Sequence, residues 1–315
     1  MANFEIQTQF ERIKQNLLET DTNVGTMVIY RNEHIVSKSL YLFGEYYDNL
    51  TEVICRYLSP EAVFVDVGSN LGYHAISVAE KAKCPVVAFE PHPSNFVLAA
   101  HNCHDKNIKI YHAGLSDQNG ELKYDDLDHF STIGNEELEK VETTAPLVKL
   151  DEIDIPFVTT MRIDVEKESE KIIAGAVNVI TKFRPAIFYR AVEVDDFMPT
   201  YKALDQLNYS QYWVTCMIKP GRDTYKKTED NPFGQLGISY ILAVPKEITQ
   251  PTDLYLGSFF HLLCLRLFST VDTRRGLGLL IFASRRPLAL VKFYFTISMI
   301  CKRPEGTSCR LRDGH

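Results

Sequence analysis

Ile6, Phe10, Ile13 and Leu17 recur at three- and four-residue intervals, which predicts one face of an amphipathic N-terminal helix. Residues 26–43 alternate loosely between apolar and polar, as short strands do. Leu50 to Leu58 reads as a helix that stops at Ser59-Pro60, because the residue before proline is pushed out of helical conformation. The most regular stretch follows. Val63-Phe64-Val65-Asp66-Val67 is an apolar run of the kind a doubly covered parallel strand needs, and Gly68 ends it. Ala75, Ile76, Val78, Ala79 and Ala82 mark a helix with one apolar stripe. Pro85 breaks it before a second buried run, Val86 to Phe89. Pro91 and Pro93 open another helix, extending to about His104, and Ile108 to Tyr111 is a third strand. A β-α-β-α-β order predicts a parallel sheet with right-handed crossovers.

Residues 113–146 read as polar and irregular. Strand character returns at Leu147-Val148 and from Met161 to Val165. One helix is expected from about Glu168 to Lys182, with Ile172, Ile173, Ala176, Val177 and Ile180 inward. A strand over Ala186 to Tyr189, a helix near Tyr201 to Leu207, and an antiparallel pair, Tyr212 to Ile218 with Ile238 to Val244, complete the pattern. The organisation implied is a lead-in over residues 1–58, an α/β domain over 59–248 and an extension over 249–315.

Composition narrows the class. In 315 residues, 45% are hydrophobic and 24% charged, with a formal net charge of −7. That is ordinary for a soluble globular protein and argues against a dedicated nucleic-acid binder, which would be basic. The charge is uneven: residues 1–248 carry a net −13 and residues 249–315 a net +6. The seven cysteines are scattered with no C-x-x-C spacing, so neither zinc site nor disulfide framework is expected. With no apolar signal core near Met1, the expected location is cytoplasmic. Residues 254–268 and 277–301 are strongly apolar, but Arg285, Arg286, Pro287 and Lys292 interrupt the second run. A packed or divergent tail ranks first there, peripheral membrane contact through 254–301 second and a true span last.

The candidate chemistry lies at Asp66-Val67-Gly68-Ser69-Asn70-Leu71-Gly72, between a buried strand and a helix. Glycine lets backbone turn sharply and approach a ligand, and the following helix N-terminus favours an anionic group. Glu90, at the end of the second strand, stands where a carboxylate accepts hydrogen bonds from both ribose hydroxyls. A nicotinamide dinucleotide fingerprint has three glycines in G-x-G-x-x-G, whereas this loop has Gly68 and Gly72 alone. The carboxylate of Asp66 would repel a pyrophosphate and suits a cation, which fits S-adenosylmethionine.

The chain resembles the FkbM-type methyltransferases, a branch of the class I S-adenosylmethionine-dependent enzymes, over residues 40–245. The resemblance rests on an ordered set of segments: Gly44-Glu45-Tyr46, Val65 to His74, Ala88 to Asn95, Leu115-Ser116-Asp117 with Gly120, Leu150-Asp151-Glu152, Ile163-Asp164-Val165-Glu166, Gly175-Ala176 and Arg184-Pro185. It implies a Rossmann-like fold with a mostly parallel seven-stranded sheet and helices on both faces. It also implies that Gly68, Ser69, Asn70 and Gly72 line the methionine end of the cofactor, that Asp66 lies near its ammonium, that Glu90 holds the ribose, and that Leu115 and Ser116 reach the adenine side. Two positions depart from the family pattern. Lys167 stands where glycine is usual, and Arg190 where the strand usually ends in an acidic residue; both lie on the expected acceptor side.

The reaction expected is methyl transfer to oxygen, on a sugar or natural-product hydroxyl, with a small-molecule or glycan as acceptor. A hydroxyl benefits from a general base. Asp164, Glu166 and His74 are the candidates, with Glu166 sharing a face with Asp164 on an extended strand or with Glu170 on a helix. Glu168 and Glu170 also read as ordinary helix-start charge. A divalent metal on Asp164 with Glu193, Asp195 or Asp196 is a variant, not the expectation. The competing readings are a catalytically degenerate S-adenosylmethionine-binding scaffold and an NAD(P)-dependent oxidoreductase.

Overall fold

The structure is a computed structural model that describes residues 10–11, 13–125, 142–218, 224–228, 231–234 and 236–248. All of these fall in a compact unit of residues 1–264. The apolar C-terminal runs at 254–268 and 277–301 lie outside the described residues.

A hairpin of β1 (Leu17–Thr22) and β2 (Gly25–Tyr30) leads into helices α1 (Val36–Phe43) and α2 (Asp48–Cys55). Next come β3 (Val63–Val67), α3 (Tyr73–Ala82), β4 (Val86–Phe89), α4 (Pro93–Asn102) and β5 (Ile108–Tyr111). Short strands β6 (Gly114–Leu115), β7 (Gly120–Asp125) and β8 (Glu142–Val148) form a separate small sheet. The chain returns through β9 (Val158–Ile163), α5 (Ser169–Ala174), α6 (Val177–Phe183), β10 (Ala186–Arg190), α7 (Val194–Gln206), β11 (Tyr209–Met217) and β12 (Gly237–Pro245).

The main sheet has seven strands in the order β11-β12-β10-β9-β3-β4-β5. The five strands from β10 to β5 run parallel, and β12 and β11 pair antiparallel at one edge. Its two faces follow from the period of two along each strand. Val63, Val65, Val67, Met161, Ile163 and Ile187 face one core, packed with Ile172, Ile173, Ile180, Phe197 and Leu204 from α5, α6 and α7. Phe64, Ala88, Phe188 and Leu242 face the other, with Leu50, Ile54, Ala75 and Val78 from α2 and α3. The hairpin packs Met27 and Ile29 with Leu71, Ile76 and Leu98 in a third cluster. Asn102 fastens it there, exchanging hydrogen bonds with Val28 and donating to the Leu71 carbonyl at 3.0 Å. Strand order reverses between β3 and β9, so the crevice beyond their carboxyl ends is where a doubly wound sheet binds ligands.

Several expectations need correction. Leu17 does not continue a helix but opens β1; it meets Ile13 in the third cluster, so their spacing reflects shared burial across an element boundary. Residues 36–43, read as strand-like, form α1. The region read as irregular holds β6, β7 and the start of β8, whose glycines and Pro146 hid the alternation. The single helix expected from 168 to 182 is two, broken at Gly175-Ala176. The break has a packing cause: a Cβ on Gly175 would lie 1.9 Å from the Ser116 carbonyl oxygen, so the chain needs bare backbone there. Asp151 then caps α6 from outside the helix, its carboxylate accepting from Asn178 and Val179 N–H at 3.0 and 2.9 Å.

Candidate active site

Adjacent parallel strands β3 and β9 pair Asp66 directly with Arg162, so two side chains of opposite charge share one sheet face near its carboxyl end. Arg162 Nε donates to Asp66 Oδ1 at 2.6 Å, one terminal nitrogen to Asp164 Oδ2 at 2.9 Å, and the other to the Gly68 carbonyl at 3.1 Å. The guanidinium is 2% exposed and Asp66 is fully buried. Burial alone would discharge the arginine, but the two carboxylates outweigh it and hold its pKa above the ordinary value. One buried cation therefore binds together the end of β3, the turn after it and the end of β9.

That turn is closed mainly by backbone. Gly68 and Ser69 N–H both donate to the Phe89 carbonyl, at 2.9 and 3.0 Å, and Gly72 N–H donates to Ser69. Gly68 has φ of +80°, and a Cβ on it would stand 2.6 Å from the Asp164 carbonyl oxygen. Glycine is thus required twice over, by conformation and by the close approach of β9. Glu90 is buried against the same turn: Oε2 accepts from Asn70 N–H at 2.7 Å and Oε1 from His92 N–H at 2.9 Å. Burial pushes its carboxyl up to about 7, against the pull of those N–H groups.

Around the crevice the polar groups are less completely paired. Asp66 Oδ2, Ser69 Oγ, His74 Nε2, Asp164 Oδ1 and Arg190 Nε are buried without a hydrogen-bond partner. Native proteins rarely leave such groups unpaired unless a ligand meets them, and these five gather at the ends of β3, β9 and β10 and the start of α3. His74 is 4% exposed, with Nδ1 3.2 Å from Thr51 Oγ1, so Nε2 is its unpaired nitrogen. Burial, with Arg162's charge behind it, holds the imidazole pKa well below the ordinary value and keeps the ring neutral. Tyr46 lies near His74, ring centroids 5.7 Å apart, and packs on Tyr47 at 4.5 Å. Burial, reinforced by the charge of Asp164, raises the Tyr46 phenol.

The expected site residues therefore fare differently. Gly68, Ser69, Asn70, Gly72 and Glu90 form one turn. Asp66, expected beside a cofactor ammonium, gives Oδ1 to Arg162 and leaves Oδ2 unpaired. Asp164 and His74 stand at the crevice. Glu166 does not lie on a helix; it is 67% exposed on the rim and meets Arg190 at 3.4 Å. Ser116 is buried, its hydroxyl bonded to Asp117 and its carbonyl packed over Gly175; Leu115 is buried beside it. Sequence reasoning missed Arg162 and Tyr240, which is buried opposite Arg190 in the strand register. The available signal was a lone charge in each of two otherwise uncharged strands, Asp66 two residues before Gly68 and Arg162 two before Asp164. Among the described residues no group of three His, Cys, Asp or Glu side chains is placed to hold a metal ion. Nor is any described helix long and apolar enough to cross a membrane.

A glycine turn after the first core strand, an acidic residue ending the second and a polar crevice at the sheet's reversal define a Rossmann-like enzyme domain. Residues 66–212 match the family model of the methyltransferase FkbM domain. Among solved structures it is similar to a methyltransferase FkbM from Methylobacillus flagellatus, at 14% identity over 74% of this chain and 58% of that one, TM-score 0.39. It is also similar to a precorrin-6y C5,15-methyltransferase from Geobacter metallireducens, at 15% identity over 62% of this chain and 86% of that one, TM-score 0.40. A third is TYW2 from M. jannaschii in complex with AdoMet, at 9% identity over 73% and 85%, TM-score 0.41. No curated protein matches the chain.

Proposed function

We propose that this protein methylates a hydroxyl oxygen of a small molecule or glycan, a sugar or natural-product hydroxyl being the acceptor class. S-adenosylmethionine is the cofactor that the methyltransferase family uses, and the residues present fit it. The carrying observation is the convergence of unpaired buried polar atoms on one crevice, beside a tight glycine turn that the fold holds in place. Glu90 keeps accepting capacity for a ribose hydroxyl, since a carboxylate has about four lone-pair sites and Asn70, His92 and Asn95 take three. Asp66, Asp164 and Glu166 outnumber Arg162 and Arg190, which suits a positively charged cofactor.

The cofactor supplies a methyl group on a sulfonium, already activated for displacement, so the protein's task is positioning and proton handling. Asp164 Oδ1 can accept a hydrogen bond from the acceptor hydroxyl while Arg162 fixes the other oxygen. His74, neutral and with Nε2 free, is in the protonation state that a base requires. Tyr46 and Tyr47 form an aromatic wall beside them.

Titration calorimetry with S-adenosylmethionine tests the cofactor, and transfer of labelled methyl to hydroxyl compounds tests the reaction. His74→Ala and Asp164→Asn should lower turnover by about 100-fold or more while leaving cofactor affinity nearly unchanged. Transfer to an amine or to carbon in preference to hydroxyl would overturn the oxygen assignment. Binding of NAD but not S-adenosylmethionine would favour the oxidoreductase reading.

A further inference from the structure

The crevice contains two arginines in opposite conditions. Arg162 is saturated, each of its nitrogens placed within 3.1 Å of an oxygen. Arg190, at the end of β10, has no such bond. Its terminal nitrogens stand 3.7 Å from Asp164 Oδ1 and 3.4 Å from Glu166 Oε1, longer than the roughly 2.7–2.9 Å of a charge-assisted hydrogen bond. Its Nε is buried with no partner. The side chain is 30% exposed, so it lies at the border of crevice and solvent.

The charges around it have a telling order. Arg162 and Arg190 balance Asp66 and Asp164, three of them in strands and Asp164 directly after β9. Glu166 is the surplus carboxylate: it is 67% exposed, lies outside any strand or helix, and meets the Arg190 guanidinium. A surface carboxylate on a loosely held guanidinium is readily exchanged for another anion, because an exposed pair of this kind is worth little. Arginine's planar fork is suited to two-point contact with a carboxylate or phosphate.

We infer that Arg190 reads the acceptor, and that the acceptor carries an anionic group, carboxylate or phosphate, which takes the place of Glu166 on the guanidinium. This rests on the methyltransferase reading and adds to it a substrate class. Asp164 and His74 would then face the hydroxyl while Arg190 fixes the anion next to it, so the substrate is held at two points.

The test uses the full chain and matched pairs of compounds: hexuronates against hexoses, and sugar phosphates against the free sugars. Each is assayed for methyl transfer and titrated into the protein with and without S-adenosylhomocysteine. Anionic members should be favoured over neutral partners by about 10- to 100-fold, the range expected for a hydrogen-bonded charge. Arg190→Gln should collapse that ratio towards one, through KM rather than kcat, with S-adenosylmethionine affinity within about twofold of wild type; Arg190→Lys should restore part of it. Glu166→Gln, which removes the competitor, should tighten anion binding. Which of the two pairs shows the larger ratio separates carboxylate from phosphate. Equal use or equal binding of anionic and neutral members overturns the inference, as does a ratio unmoved in Arg190→Gln. Failure of S-adenosylmethionine to bind would sink the methyltransferase reading separately, because anion binding is measured without cofactor as well.

Discussion

The two sides of the crevice are built on different terms. On the side of the glycine turn, Gly68, Ser69, Asn70 and Gly72 N–H and both oxygens of Glu90 have partners, and Arg162 ties turn and strands with three bonds. On the other side, Arg190 makes two long ion pairs, Asp164 leaves one oxygen open and His74 one nitrogen. The backbone of the first side is preorganised by the fold, with Asp66 Oδ2 and Ser69 Oγ left unpaired. The second keeps its hydrogen-bonding capacity in reserve. This division suits a site in which the cofactor pocket is fixed and the acceptor completes the remaining contacts.

The difference can be broken most forcefully at Arg162. Replacing it with Met leaves Asp66 and Asp164 buried without a counter-ion and should cost about 3–5 kcal/mol in thermal or denaturant unfolding. Arg190→Gln, on the loose side, should cost less than about 1 kcal/mol. Equal losses would erase the distinction. Gly175→Ala comes next: a methyl directed at the Ser116 carbonyl should destabilise by about 1–3 kcal/mol or more, seen as a lower denaturation midpoint. Glu90→Ala should leave the protein folded but weaken S-adenosylmethionine by about 10- to 100-fold in calorimetry.

Glu90 also sharpens the comparison through pH. Its carboxyl is raised to about 7 by burial, above its ordinary value of 4.5. Between those values the folded protein binds a proton that the unfolded chain does not, so this group favours folding on the acid side and loses that contribution as pH rises through 7. Cofactor affinity should move the opposite way, because the ionised carboxylate is the better acceptor for ribose hydroxyls. Raising the pH from 6 to 8 should strengthen binding by a few-fold, about the smallest effect in the series, and Glu90→Gln should flatten the profile.

Much of this architecture is legible in the sequence. Val63–Val67 and Val86–Phe89 stand where the apolar runs predict strands, because each is short, largely buried and punctuated by glycine or proline, and the edge strand Ile108–Tyr111 stands where its apolar residues predict it. The antiparallel pair of β11 and β12 is legible for the same reason. The glycine turn and Glu90 were also readable, since local backbone demands leave a local mark. Arg162 was not. Its role depends on the register between β3 and β9, which brings it opposite a residue 96 positions earlier. The ion pair of Asp66 was hidden for the same reason: its partner is set by strand pairing, which the local motif does not show. The break at Gly175 likewise arises from Ser116, on a distant segment.

The most direct test is the crystal structure of the protein with S-adenosylhomocysteine. The account predicts the ligand over the Gly68–Gly72 turn, its ribose hydroxyls on Glu90, its sulfur facing the space between Asp164 and His74, and the Asp66–Arg162 pair unchanged. A ligand bound elsewhere, or one whose amine displaces Arg162 from Asp66, would contradict it.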